Sequence, residues 1–473
     1  MSVVKNTLFL TLSLVISKVL SFIYFAVVAR YLGVEVTGAY IFALSLTTLC
    51  AIISDFGLTP FITRVVSAEQ GSPRIFGGAI LTKILLIVAS VAVVSGVTAF
   101  SSYEVAILRL LPFAMLVMVL DAVQVFLYGV LRGLQLLSYE SIGMVSGQML
   151  SLVFGVVGLL SGFDEVWLII GLSLGSLLQV VLSWVIVARK RVFVSVAFPS
   201  SHDMRLIGAG SIAFGLAGLF SRGYSQIDMV LLQHFTSLAV VGVYAVASKI
   251  VFSLQFIPIA LSASLFPALS KVSHDTVASQ KLLKGGFHYL MIICVPLSLC
   301  MIVFAQPILQ FAFGVNYLLA TIPLQILAVS LLFGFLDYPL GAYLNGSGKA
   351  KLQTMSMGIT LGVNIMCNVL LIPYLGAVGA AISALIAQCV LFFCGYYFSR
   401  FVLKEIVPEL FLQFLKILFV SALSLSVSYI GLHVTGITVV SFLAFLALFG
   451  ILYLVLLSVL RVFSVPEFLK ALR

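Results

Sequence analysis

The sequence predicts an all-α polytopic membrane protein, because its apolar length suffices for about fourteen transmembrane helices. Of its 473 residues, 62% are hydrophobic and only 8% are charged, and the mean hydropathy is +1.27. An ordinary soluble domain has about 25% charged residues. A bilayer-spanning helix needs about 20 mostly apolar residues, and this chain has little length left for any other domain. These values exclude a water-soluble globular protein.

Short polar and charged clusters separate the apolar windows and define fourteen predicted spans. Spans 1 to 14 are predicted at residues 6–29, 38–60, 76–99, 106–131, 140–161, 166–188, 206–232, 240–269, 286–305, 322–345, 352–371, 377–399, 413–432 and 438–460. We predict an N-lobe over residues 1–200 (spans 1 to 6) and a C-lobe over residues 201–400 (spans 7 to 12). Residues 401–473 then hold spans 13 and 14 and a cytoplasmic C-terminal tail.

The basic residues are distributed asymmetrically about these spans. Of the 25 Lys and Arg residues, four lie within spans and two, Arg30 and Arg109, lie near the outer side when the N-terminus is placed in the cytoplasm. The remaining nineteen lie in inner loops or termini, as the positive-inside rule requires. The net charge of +10 therefore indicates topology and not nucleic-acid binding. We predict a multi-pass protein of the cytoplasmic membrane with both termini cytoplasmic.

The two halves of the chain resemble each other weakly but in register. An offset of 204 residues carries Gly38 and Tyr40 at the start of span 2 onto Gly242 and Tyr244 at the start of span 8. An offset of 216 residues carries Leu120-Asp121 onto Leu336-Asp337. Because the offset covers six spans, it preserves orientation and predicts two six-helix repeats related by an axis along the membrane normal. Spans 13 and 14 lie outside the repeat.

Four basic residues lie within predicted spans: Lys18, Lys83, Arg222 and Lys249. A Lys or Arg at the centre of a span costs about 2.5 to 3.5 kcal/mol on the translocon scale. The offset of 204 residues carries Lys18 onto Arg222. The functional interpretation is a wet, basic cavity that selects anions, since Arg and Lys recognise phosphate. The structural alternative is that these cations snorkel to an interface or pair with embedded aspartates.

The pattern of span 1 favours the cavity. At 100° per residue its polar residues, among them Ser17, Lys18, Ser21 and Tyr24, fall within an arc of about 160°. In span 7, Arg222 shares a face with Gln226, whereas Asp228 points about 120° away. The headgroup-binding residues are predicted to be Lys18, Arg222 and Lys249. The predicted lining residues are Ser17, Ser21, Tyr24, Lys83, Gln226 and Asp228.

Other motifs do not support an enzyme or a cofactor site. Asp55-Phe-Gly57 matches a kinase magnesium motif without the loops that accompany it, and we interpret Asp55 as polar lining near a helix end. The five histidines and six cysteines show no metal-ligand spacing. We therefore predict a protein that is not an enzyme and holds neither a cofactor nor a metal ion.

Several stretches, in the right order along the chain, resemble the polysaccharide-biosynthesis (Wzx-type) flippases of the multidrug/oligosaccharidyl-lipid/polysaccharide (MOP) exporter superfamily. They are RYLGVEVTGAY at 30–40, DFGL at 55–58, ITR at 62–64, IDMVLL at 227–232, VGVYAVASK at 241–249, LFP at 265–267, LIP at 371–373 and GAVGAA at 376–381. This resemblance implies a V-shaped, MATE-like arrangement of two lobes that opens alternately to either side. It also implies transport of lipid-linked sugars to the outer leaflet, with central cations at Lys18, Arg222 and Lys249.

The leading functional hypothesis is alternating-access export of an oligosaccharide on a polyprenyl (di)phosphate carrier. Membrane lipids and glycan polymerases or glycosyltransferases would be its partners, and membrane potential, sodium or protons are all compatible energy sources. One alternative is a cation-coupled multidrug exporter of the same superfamily, which needs embedded carboxylates to bind cations. A second alternative is a membrane glycosyltransferase or polymerase that uses the same carrier, although no sizeable polar external loop is present.

Overall fold

The structure, a computed structural model, describes residues 3–68, 73–101, 103–190, 197–435 and 438–459. Within these ranges every regular element is helical, as the apolar windows predict. The helices are α1 (Val3–Asp55), α2 (Leu58–Ser67), α3 (Pro73–Phe100), α4 (Val105–Gly133), α5 (Leu137–Leu160), α6 (Glu165–Arg189), α7 (Ser201–Phe235), α8 (Leu238–Ser253), α9 (Phe256–Lys271), α10 (Thr276–Val303), α11 (Ala305–Ala312), α12 (Thr321–Gly346), α13 (Ala350–Leu403), α14 (Val407–Thr435) and α15 (Val439–Val459), with a 3-10 helix at Val315–Ala320.

The number of spans agrees with the sequence prediction. In the described part of the chain, twelve helices are long and apolar enough to cross a membrane. The bent pair Ser201–Ile212 and Phe214–Phe235, which meet at 43°, makes a thirteenth. The segment Phe9–Asp55 counts once in this total although its 47 residues are about twice the length of one span. Counting its two halves separately gives the predicted fourteen.

Two of the predicted connections between spans are tighter than the sequence indicates. We expected a loop at residues 30–37, but α1 continues through this region and only Gly33 is non-helical, with φ +77°. Gly376, with φ +54°, interrupts α13 in the same way at the predicted turn between spans 11 and 12. Glycine adopts positive φ without a steric penalty, so one residue can redirect the chain. These connections are therefore single-residue breaks instead of loops.

The first compact unit comprises residues Met1–Ala245. It contains α7, which the sequence assigns to the C-lobe, and α7 packs against α1, α2 and α3. A buried apolar cluster at one end of the unit joins α2, α4 and α7, with Leu58, Leu131 and Ile207 almost inaccessible. The lobe boundary at residue 200 and the superposition of the two halves stay predictions.

Residues that the repeat makes equivalent contact each other inside this unit. A Cβ atom on Gly38 would collide with the carbonyl of Leu238 and lie 3.1 Å from the amide nitrogen of Gly242. A Cβ atom on Gly242 would collide with the carbonyl of Val34 and lie 3.2 Å from the amide nitrogen of Gly38. Val34 and Leu238 also differ by 204 positions. The contact is thus reciprocal, and it requires glycine on both sides because the backbones themselves touch.

The second compact unit comprises residues Val246–Arg473. Three polar pairs with the same offset of 125 residues join α10 to α14 and to the turn just before it: Gln280 with Glu405 (3.0 Å), Lys284 with Glu409, and His288 with Gln413 (3.1 Å). A constant offset means that the two helices run in the same direction and in register, with one pair at each turn. These pairs join α14, which corresponds to span 13 outside the repeat, to α10, which corresponds to span 9.

Candidate functional site

A cavity of about 260 Å³ lies within the first unit, between α1, α3, α4 and α7. Its lining contains four charged side chains, two cations and two carboxylates: Lys83, Arg222, Asp55 and Asp121. The hydroxyl-bearing residues Thr47, Thr48 and Ser54 and several apolar residues complete the lining. The formal charges of this lining therefore balance, and the net positive cavity that the sequence predicts is not found in it.

Asp55 and Lys83 line the cavity at the C-terminal end of α1. Asp55 is the last residue of α1, and the C-terminus of a helix carries unsatisfied carbonyls and partial negative charge. The Lys83 ammonium donates to the Ser54 carbonyl (2.8 Å) and pairs with the Asp55 carboxylate (3.3 Å). Thr59 also donates its hydroxyl to Asp55. Lys83 thus acts as a C-terminal cap of α1, so the structural alternative, pairing with an embedded aspartate, holds for this cation.

The turn after Asp55 brings α7 to the cavity. Phe56 has φ +30° and Gly57 has φ +79°, and this break separates α1 from α2. A Cβ atom at Gly57 would collide with the Ser211 carbonyl of α7, and one at Gly215 would lie 2.8 Å from the Phe56 carbonyl. The turn and α7 therefore touch backbone to backbone. Arg222, two turns beyond Gly215, consequently reaches the cavity.

Among the described residues, Asp121 and Arg222 are not joined by an ion pair, unlike Asp55 and Lys83. Ser176 of α6 donates its hydroxyl to the Asp121 carboxylate over 2.6 Å. Within the part of the chain that the structure describes, no carboxylate lies within 4 Å of the Arg222 guanidinium. Both residues line the cavity, and opposite charges attract across such a space of low dielectric constant. Arg222 is thus the lining cation whose hydrogen-bonding groups are not engaged by a neighbouring carboxylate.

Of the predicted site residues, the structure brings Lys83 and Arg222 to one cavity, and the others do not line it. Lys18 is exposed, Ser17 and Ser21 are partly buried, and Gln226 is partly buried on α7. Lys249 is partly buried in the second unit. Their roles in headgroup binding stay predictions.

Tyr24 and Asp228 are packed in the first unit, where each holds a tyrosine sixteen residues further along. The Tyr40 hydroxyl is hydrogen-bonded to the Tyr24 hydroxyl, which itself donates to the Leu168 carbonyl (2.8 Å). The Tyr244 hydroxyl donates to the Asp228 carboxylate over 2.7 Å. These residues brace the helices that carry the glycine crossing, and neither Tyr24 nor Asp228 lines the cavity.

The prediction of site residues missed Asp121, although the sequence contained a signal for it. Asp121 is an embedded carboxylate, and the repeat matches it with Asp337. An ionisable residue in a span is a functional candidate by default. Asp55, which the sequence places near a helix end, lies at the end of α1 and in the lining of this cavity.

A family model for polysaccharide biosynthesis proteins matches residues 3–273, more than half of the chain. The chain belongs to the polysaccharide biosynthesis protein family. A second model, MatE, matches residues 214–370, so the two models together cover spans 1 to 10 and part of span 11. The family predicted from the sequence motifs is confirmed.

Two archaeal relatives of this family member match along most of their length. The "Probable low-salt glycan biosynthesis flippase Agl15" of Haloferax volcanii is 24% identical over 413 residues, covering 85% of this chain and 84% of the relative. An uncharacterized membrane protein of Methanocaldococcus jannaschii is 26% identical over 371 residues, covering 74% of this chain and 71% of the relative.

Solved structures show the same fold at low identity. The lipid II flippase MurJ in an inward closed conformation has a TM-score of 0.78 at 17% identity and covers 95% of this chain and 98% of its own. An inward-facing MATE multidrug transporter of the MOP superfamily has a TM-score of 0.65 at 17% identity, covering 82% and 96%. The protein is thus a multi-pass membrane protein of the polysaccharide biosynthesis protein family, as predicted, and it shares its fold with the MurJ flippase and the MATE transporter.

Proposed function

We propose that this flippase moves an oligosaccharide linked to a polyprenyl (di)phosphate from the cytoplasmic to the outer leaflet, and that Arg222 binds the phosphate of the carrier. The observation that supports this most directly is an embedded guanidinium that lines a cavity and has no carboxylate of the described residues within 4 Å. A guanidinium offers paired N–H donors that match the oxygens of a phosphate. The glycan name of the Haloferax volcanii relative is consistent with this substrate class.

The size of the cavity limits what it can hold. Its 260 Å³ correspond to about nine water molecules at ~30 Å³ each. Such a space accommodates a phosphate group or part of a sugar, but not an oligosaccharide. In our proposal the phosphate reaches Arg222, while the remaining sugars and the lipid tail lie outside this cavity. Lys18 and Lys249 keep the headgroup role predicted from the sequence.

The membrane potential is a sufficient energy source for this export. A headgroup with two negative charges that moves outward across an inside-negative membrane gains roughly 4.6 kcal/mol per 100 mV. The proposed orientation, with both termini cytoplasmic, places the headgroup on the side from which this gradient drives it. Membrane lipids surround the carrier, and the glycan polymerase and glycosyltransferase partners stay predictions from the sequence.

One observation favours the second candidate, a cation-coupled multidrug exporter. The two cavity carboxylates, Asp55 and Asp121, are the groups that such an exporter needs for binding protons or sodium. Asp55, however, is engaged by Lys83 and Thr59, which leaves Asp121 as the carboxylate available for this role. The charge of the substrate distinguishes the two candidate functions. Arg222 would repel a cationic drug, whereas it would attract an anionic lipid carrier.

The test is to deplete the protein in its own cells and follow lipid-linked oligosaccharide on each leaflet. We expect the oligosaccharide to accumulate on the cytoplasmic leaflet. Wild-type protein should restore export, whereas Arg222→Gln should fold normally and restore little, because it removes the phosphate ligand. Arg109→Gln is the matched control: it removes one positive charge from an exposed pair with Asp164 and should restore export fully. Unchanged leaflet distribution on depletion would refute the proposed function.

A further inference from the structure

The four charged side chains of the cavity fall into two pairs with different geometry. Lys83 and Asp55 are in contact at 3.3 Å, and Lys83 also donates to the carbonyl of Ser54. Lys83 is buried and Asp55 is partly buried, with 5% of the Lys83 side chain and 16% of the Asp55 side chain exposed. The charges of this pair neutralise each other locally. The field that a ligand in the cavity experiences therefore depends mainly on the second pair, Arg222 and Asp121.

In the second pair the carboxylate is held away from the cation. The Ser176 hydroxyl on α6 donates to one oxygen of Asp121 (2.6 Å), and no contact of ion-pair length joins Asp121 to Arg222 among the residues described. Opposite charges at such separations still attract in an interior of low dielectric constant. Asp121 thus balances the charge of Arg222 while leaving its donors accessible.

We propose that Asp121 is the resident anion with which the carrier phosphate competes for Arg222, and that it thereby limits how tightly the headgroup is held. The inference rests on the proposed function. A phosphate on Arg222 places negative charge beside a fixed carboxylate, and like charges in one site raise the free energy of the complex. A flippase must release its headgroup on the far side. A carboxylate that weakens the bound state accelerates that release, since affinity differences are expressed mainly in the dissociation rate.

Charged and polar groups from every side of Asp121 act on this balance. Arg222 approaches from α7, Ser176 from α6, Lys83 from α3 and Asp55 from the end of α1. Of these, Lys83 and Asp55 neutralise each other and Ser176 is uncharged. The interaction that changes when a phosphate arrives is therefore the one between Arg222 and Asp121.

The test measures binding of a sugar-free polyprenyl diphosphate to the full-length protein in nanodiscs, with uncharged polyprenol as the reference ligand. Asp121→Asn keeps the size of the side chain and an oxygen for the Ser176 hydroxyl, but removes the charge. We expect its Kd for the diphosphate to fall about tenfold, equivalent to ~1.4 kcal/mol. Dissociation should slow, the rate of transport should not rise, and polyprenol binding should be unchanged.

Three further variants make the result specific. Asp121→Glu keeps the charge and should retain the wild-type Kd. Asp164→Asn removes the same charge from an exposed site and should also leave the Kd unchanged. Ser176→Ala removes the hydroxyl that holds Asp121, frees the carboxylate to approach Arg222, and should weaken diphosphate binding. Ser176→Ala decides the question if Asp121→Asn fails to fold, because it predicts a change of the opposite sign.

Failure of this inference is distinguishable from failure of the proposed function. If Arg222→Gln abolishes diphosphate binding but Asp121→Asn binds no more tightly than wild type, the competition is refuted and the phosphate site stands. If Arg222→Gln binds diphosphate as well as wild type, the phosphate site itself is refuted. An Asp121→Asn variant that tightens polyprenol binding equally would also overturn the inference, because the effect would then not depend on phosphate charge.

Discussion

Residues 18–40 and 222–244 are equivalent under the predicted repeat, yet they carry different chemistry. Both contain a glycine that touches the backbone of the other segment and a tyrosine whose hydroxyl bonds to the residue sixteen positions earlier. In the first segment that partner is Tyr24, and in the second it is Asp228. The first segment begins with the exposed Lys18, the second with Arg222, which lines the charged cavity.

The comparison of the two segments shows which properties they share and which they do not. The glycine crossing depends on backbone geometry and tolerates no side chain, so both segments keep it. The bracing hydrogen bonds need only a donor and an acceptor, so either Tyr24 or Asp228 can be the partner of the tyrosine. The environment of the cation depends on neighbouring helices, and the helix of Arg222 packs backbone to backbone against the turn at Gly57. The second segment therefore contributes one cation, Arg222, to the cavity lining, whereas no residue of the first segment lines it.

The largest expected effect is a loss of stability when Lys83 is replaced. Comparing it with the replacement of Arg222 tests whether the charge of Arg222 is functional or structural. Lys83→Met should destabilise the protein by about 3 kcal/mol, because it leaves the partly buried Asp55 carboxylate without its cation. Arg222→Met should cost much less, because among the described residues no carboxylate lies within 4 Å of its guanidinium. Thermal unfolding of the purified variants in detergent measures both.

The control is the double variant Lys83→Met with Asp55→Asn, which removes both charges and should recover most of the lost stability. Comparable losses for Arg222→Met and Lys83→Met would contradict the comparison, because Arg222 would then be a structural cation like Lys83.

An intermediate effect tests the reciprocity of the crossing. Gly38→Ala and Gly242→Ala should each destabilise the first unit by about 1 to 3 kcal/mol, the usual cost of overpacking, because each new Cβ atom meets a backbone carbonyl. Gly96→Ala is the matched control, since a Cβ atom there has no neighbour within 4 Å, and it should cause no loss. A large effect at one of the two crossing positions alone would break the equivalence of the segments.

The smallest expected effect distinguishes the two braces. Tyr40→Phe removes a hydrogen bond between neutral groups, typically about 1 kcal/mol, whereas Tyr244→Phe removes one to a carboxylate, about 1.5 to 3 kcal/mol. We therefore expect the larger fall in unfolding free energy for Tyr244→Phe, measured by the same thermal assay. Equal losses would mean that Asp228 is uncharged and that the braces are chemically alike.

Much of the fold could be predicted from the sequence because a bilayer imposes a fixed span length and forces backbone polar groups into helices. The candidate site could be predicted less well. Lys83 and Arg222 could be identified from the sequence because embedding a charge costs free energy. The sequence did not show that Lys83 caps the end of α1 or that Arg222 faces the cavity. The polar arc of span 1 indicated a wet face, yet Tyr24 lies buried at 3% exposure.

The sequence by itself determined the family and the helical class and predicted the equivalence of residues 204 positions apart, since these depend on composition, motif order and hydrophobic period. The tertiary structure alone decided which embedded charges meet. Asp55, Lys83, Asp121 and Arg222 come from four helices separated by up to 167 positions, and only the close contact of the turn at Gly57 with α7 places them around one cavity. The amino-acid sequence shows which charged residues lie within apolar spans and therefore cost free energy to embed. The distance between two such charges depends on how the helices pack.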